Sequence, residues 1–141
     1  MNITVIDGQG GRMGSQLIAA IREAGLPCSI TAIGTNVLAT SAMLKAGADH
    51  GATGENPVVV ACRSAQVIIG PIGILSADAM LGEITPAMAV AVGQSAAVKL
   101  LLPVNPCRNI VIGTQQMTLA QVIDKTIAQL RVLIAQEGTR C

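Results

Sequence analysis

Apolar and polar positions along the chain fall into short β-branched runs, separated by stretches where apolar residues return every three or four positions. Residues 3–6 (Ile-Thr-Val-Ile) form the first run and predict a buried strand that leads straight into a glycine-rich turn. Beyond the turn, Leu17, Ile18 and Ile21 share one face of a helix, which Gly25 and Pro27 stop. Residues 28–33 read as a second buried strand. Asn36 is then placed to N-cap a second helix, whose end carries the C-terminal signature Lys45, Ala46 and Gly47.

The middle of the chain is less regular, and residues 48–54 have room for at most a very short third strand. Pro57 suits the first turn of a helix reaching about Arg63, after which Val67-Ile68-Ile69 is a strand ending at Gly70-Pro71-Ile72-Gly73. Thr85-Pro86 opens a helix over residues 87–93 that is apolar on nearly every side. Residues 98–102 predict another strand, ended by Pro103-Val104-Asn105-Pro106, and residues 110–112 (Ile-Val-Ile) predict one more. Thr118 and Gln121 have capping-box spacing for a long helix ended by Gly138, with Leu119, Val122, Ile127, Leu130 and Ile134 on one face. Strands that alternate with helices and lack polar alternation predict one α/β domain, a Rossmann-like, doubly wound, mostly parallel sheet with helices on both faces.

Composition narrows the function. The chain is 51% hydrophobic and 12% charged, which fits a packed core and excludes a disordered protein. A formal charge of +1 and the absence of Phe, Trp and Tyr argue against nucleic-acid binding, which draws on basic faces and stacking platforms. No apolar run approaches the roughly 20 residues of a membrane helix, and the N-terminal residues read as a strand, not a signal peptide. The expected location is the cytoplasm. Cys28, Cys62, Cys107 and Cys141 lie far apart with no short-spaced pair, so reduced thiols and no metal site are expected. A helix as apolar as residues 87–93 wants burial all round, which predicts a homodimer or higher homo-oligomer.

The strongest chemical signal is the turn after the first strand, where Gly8, Gly10, Gly11 and Gly14 fit either G-x-x-G-x-x-G or G-x-G-x-x-x-G. In both registers the first glycine permits the tight turn, the middle ones let backbone N–H groups approach a phosphate, and Gly14 lets the helix pack close to the sheet. The helix N-terminus adds partial positive charge. A small-molecule nucleotide is the expected partner, held by residues Asp7, Gly8, Gly10, Gly11, Arg12, Met13 and Gly14. The run Gly8-Gln9-Gly10-Gly11-Arg12-Met13-Gly14-Ser15-Gln16-Leu17-Ile18 resembles the N-terminal cofactor loop of the dihydrodipicolinate reductases. That resemblance implies NADH or NADPH at the turn, with Arg12 beside the phosphates. It covers only the first strand, turn and helix, and the chain has no room for that family's catalytic second domain, so the activity is not implied. Over its whole length the chain is similar to a small, uncharacterised bacterial family. There Thr31-Ala32-Ile33-Gly34-Thr35-Asn36, Gly47-Ala48-Asp49-His50-Gly51-Ala52 and Gly70-Pro71-Ile72-Gly73 look like hallmark segments.

The turn departs from a standard dinucleotide site in two ways. A carboxylate is usual at the end of the second strand, where it binds the adenosine ribose, but here Gly34, Thr35 and Asn36 stand there, which weakens NAD and leaves NADP, another nucleotide or no dinucleotide. Asp7 would repel a phosphate unless it accepts backbone N–H bonds within the turn or shares a magnesium ion with the ligand. At a switch point between the first and fourth strands, Gly70, Pro71, Ile72 and Gly73 would face the turn and offer backbone donors and an apolar edge to a base or nicotinamide ring. Asp49, His50, Glu55 and Glu83 are the remaining acid/base groups, and His50 alone titrates near neutrality when unperturbed. His50 is the catalytic candidate, against a purely structural histidine. Ser76 and Ser95 lack a nucleophile-elbow context, and Cys62 and Cys107 read as buried small hydrophobes. The enzyme reading is a small oxidoreductase completed at a subunit interface. Its alternatives are a nucleotide or redox sensor and an oligomeric scaffold with an unused turn.

Overall fold

A computed structural model describes residues 1–104 and 108–139. Five strands, β1 (Asn2–Asp7), β2 (Ser29–Gly34), β3 (His50–Thr53), β4 (Val67–Pro71) and β5 (Val98–Leu102), form one sheet in the order β3-β2-β1-β4-β5. Every pairing is parallel. The helices are α1 (Arg12–Glu23), α2 (Val37–Lys45), α3 (Glu55–Cys62), α4 (Pro86–Gln94) and α5 (Leu119–Gly138), and a short 3-10 turn (Ile72–Leu75) follows β4. This is the expected Rossmann-like α/β arrangement, including the short third strand.

The period-2 geometry of strands sends alternate residues to opposite faces. Ile3, Val5, Ile30, Ala32, Val67 and Ile69 meet Leu17, Ile18 and Ile21 of α1 and Val122, Ile123 and Leu130 of α5. Ile6, Ile33 and Ile68 meet Val58 and Cys62 of α3 and Met88 and Val92 of α4 on the other face. With both faces covered, the strands need no polar alternation, and each fully buried Ile or Leu contributes about 1.5–3 kcal/mol. The capping residues act as the sequence indicates: Asn36 accepts from Ala39 N, Thr85 from Met88 N, and Thr118 exchanges both capping-box bonds with Gln121.

One expectation fails. Residues 110–112 are not a strand: Ile110 is 87% and Ile112 90% exposed, and Thr114 N closes a turn onto Val111 O. A β-branched triplet extends only if a neighbour pairs with it, and left-handed backbone at Arg108 (φ 66°) and Gly113 (φ 87°) breaks the run on either side. Within the single chain α4 turns Met88, Ala89 and Val92 to the core and leaves Val90 half exposed. Asn105, Pro106, Cys107 and Cys141 lie outside the described residues.

Candidate functional site

β1 pairs with β2 on one side and β4 on the other, so the connections leave its carboxyl end in opposite directions. A crevice opens at such a reversal, and the first glycine turn lies at its base. Asp7 ends β1 and is only 5% exposed. Its carboxylate accepts Gly8 N at 2.8 Å through Oδ1 and Gly14 N at 2.7 Å through Oδ2. Burial pushes the Asp7 carboxyl above the usual range, the two N–H bonds act against that, and the charge of Glu83 adds to the rise. Both oxygens are thus engaged by the turn itself.

The glycines divide the work differently from the sequence expectation. Gly11, expected to approach a phosphate, is buried with φ 68°, and its N–H donates to Gly8 O at 2.9 Å. A Cβ there would stand 2.7 Å from the Cα of Ala39, so Gly11 exists to let α1 and α2 touch. Gly14 has the predicted packing role, since a Cβ would meet Met43 Sδ at 2.5 Å and Asp7 Cβ at 3.0 Å. Gly34 is closed off in the same way by Thr40 and Asn36 O. Only Gly10 faces open space. Gly11 has no side chain to cap α1, and the N–H groups of Gly10, Arg12 and Met13 have no protein partner among the described residues. Arg12 is exposed on the first helical turn, and Met13 is buried.

A strap from a distant part of the chain covers this turn. Residues 76–84 follow the 3-10 turn, and Glu83 reaches across so that its Oε2 accepts Gln9 N at 2.7 Å. Its Oε1 accepts the Asn36 side-chain amide at 2.9 Å, and the same amide donates to Gln9 O at 2.8 Å. Gly8 has no room for a side chain, because Glu83 Oε2 and Thr35 Oγ1 stand 2.6 and 2.7 Å from where a Cβ would be. The Thr35 hydroxyl is fully enclosed and has no hydrogen-bond partner. An unpaired buried hydroxyl costs roughly 1–3 kcal/mol.

Other sequence candidates fall elsewhere. Gly70, Pro71 and Gly73 sit beside β1 as expected, but they are buried, with Ala79 of the strap 3.5 Å from a Cβ position on Gly73; Ile72 is half-buried. His50 begins the edge strand β3 opposite Thr31, at the amino ends of the strands and away from the crevice, which removes it from the glycine turn. Asp49 is a structural latch: its carboxylate accepts Ile30 N and Arg22 Nη2, both at 2.7 Å, which holds its pKa below the usual range. Glu55 lies in the first turn of α3, and Cys62 is buried. Among the described residues no three His, Cys, Asp or Glu side chains gather as metal ligands, and no helix is long and apolar enough to cross a membrane. Glu83 is the residue that sequence left unplaced, since no local pattern ties it to a turn 74 residues away.

The chain belongs to a family described as Domain of unknown function (DUF3842), whose model matches residues 2–135. No curated relative matches it. A solved structure, the dodecameric FMN-dependent Ubix-like decarboxylase from Escherichia coli O157:H7, is similar at 13% identity and a TM-score of 0.42, over 98% of this chain and 95% of that one.

Proposed function

We propose that this member of the family binds the phosphate of a nucleotide or dinucleotide, NADP or NAD in kind, at the first strand-to-helix turn. The observation that carries the reading is the enclosed, unpartnered Thr35 hydroxyl above Gly8, beside the unpaired N–H groups of Gly10, Arg12 and Met13. Backbone donors at a helix N-terminus favour an anion, and Arg12 supplies a positive charge there. Thr35 and Asn36 would serve the ribose, and without a carboxylate at the end of β2 a 2′-phosphate meets no repulsion from that strand. The reductase-like sequence of residues 8–18 points the same way. A nicotinamide bound here would supply hydride chemistry, which makes a small oxidoreductase the enzymatic form of the proposal.

A nucleotide sensor is the second reading, and one observation favours it. The carboxylates that border the turn, Asp7 and Glu83, are both hydrogen-bonded to the turn or its neighbours in this arrangement, so neither is already poised toward a reacting atom. In either form we place the protein in a homodimer or higher oligomer, supported by the exposure of Val90, Ile110 and Ile112. Titration calorimetry with NADP, NAD and ATP tests the site, with Thr35→Val as the control. Saturable binding that the variant loses supports it, and binding unchanged in folded Thr35→Val moves the ligand elsewhere. Oxidation of NADPH by added carbonyl compounds would then separate enzyme from sensor.

A further inference from the structure

We infer that the Glu83 carboxylate is an internal occupant of the anion position, and that a phosphoryl ligand must displace it to bind. This rests on the reading of the turn as a phosphate site. Glu83 uses both oxygens as a ligand anion would, accepting the Gln9 backbone N–H and the Asn36 amide in the space left open by the missing Cβ of Gly8. The match is incomplete in an informative way. Glu83 takes Gln9 N on Oε2 and the Asn36 amide on Oε1, and in that placement neither oxygen pairs with the Thr35 hydroxyl, which remains without a partner. A tetrahedral phosphoryl group carries a third oxygen in another direction, which would give that hydroxyl an acceptor.

The strap is built to present that carboxylate at a cost. Asp78, Met80 and Leu81 all adopt left-handed backbone (φ 63°, 55° and 58°), unfavourable for residues with a Cβ, and Leu81 is 99% exposed. Buried Ala79 and Ile84 anchor the feet of the strap, and Asp78 N to Ile84 O and Ile84 N to Ala79 O close it. The strap therefore stays folded while the Glu83 side chain swings out. Charge works in the same direction: with Glu83 in place, two carboxylates and one guanidinium border the turn, and its departure leaves Arg12 to balance Asp7. Ligand and Glu83 are mutually exclusive.

The test compares Glu83→Ala and the isosteric Glu83→Gln with the unmodified protein, using inorganic pyrophosphate and NADP as calorimetric probes. Amide NMR of Gln9 and of the Asn36 side chain reads the displaced bonds. Both variants should bind each probe at least tenfold more tightly. In the unmodified protein, saturating probe should move both amide signals, because their acceptor changes. Equal affinity in all three proteins would overturn the inference and leave the binding site standing. Binding to none of the three would overturn both. If the alanine variant does not fold, Glu83→Gln alone carries the comparison.

Discussion

Gly11 and Ala39 meet backbone to backbone: a Cβ on Gly11 would stand 2.7 Å from the Ala39 Cα and 2.9 Å from its carbonyl oxygen. Because Gly11 also has φ 68°, any side chain there is both strained and obstructed. Gly11→Ala should cost about 2–4 kcal/mol in urea unfolding, from the left-handed backbone plus displacement of α2. Gly10→Ala, which faces open space, should change stability by less than about 0.5 kcal/mol. Equal costs at the two positions would contradict this division.

Asp7 should titrate above the value of about 3.9 seen in an unperturbed aspartate. Its folded-state pKa is raised by burial, so its contribution to stability is fully present below the unfolded pKa and is lost as pH rises through the folded pKa. A carboxyl-carbon NMR titration checks the direction. A midpoint at or below the unperturbed value would show that the two N–H bonds outweigh burial.

Asp49 has the opposite sign. Its pKa is lowered by the Ile30 N–H and by Arg22, so its contribution is present above the unfolded pKa and lost as pH falls through the folded one. Asp49→Ala should loosen the β2–β3 edge. Hydrogen exchange at residues 50–53 should quicken several-fold while α5 is unaffected, and unchanged exchange would make the latch ornamental.

NADP should bind at least as tightly as NAD. The end of β2 offers Thr35 and Asn36 in place of the carboxylate that favours an unphosphorylated ribose. Calorimetry giving NAD a tenfold advantage would reverse the assignment.

Light scattering at micromolar concentration should give a mass at least twice the 14.3 kDa chain. Val90→Lys, on the half-exposed face of α4, should lower that mass if α4 lies in the contact. A clean monomer would remove the subunit interface from the oxidoreductase reading.

Most strands and the side-chain caps were legible because their causes are local: β-branched runs, and a hydroxyl or amide one residue before α2, α4 and α5. The residue triplet 110–112 shows the limit of that locality, since Ile-Val-Ile has strand composition and becomes a strand only with a partner that no short window contains. All four glycines at the turn were seen, yet the role of Gly11 belongs to α2, whose approach depends on the whole sheet. Glu83 was visible only as an unassigned acid. Its meaning arises when the β4 crossover brings it above Gly8, and no spacing rule links residues so far apart.

The central strand β1 is the first to be made and has neighbours on both sides, but one of them, β4, ends only at Pro71. On the ribosome, β1 and β2 can pair once Gly34 is made, while the opposite edge of β1 stays bare until the chain reaches Pro71. Ile6 and Ile33, whose cover comes from α3 and α4, wait in the same way. A nascent chain halted before Val67 is therefore a sticky half-sheet, the species a cellular holdase would recognise, and arrival of β4 is the event that closes it.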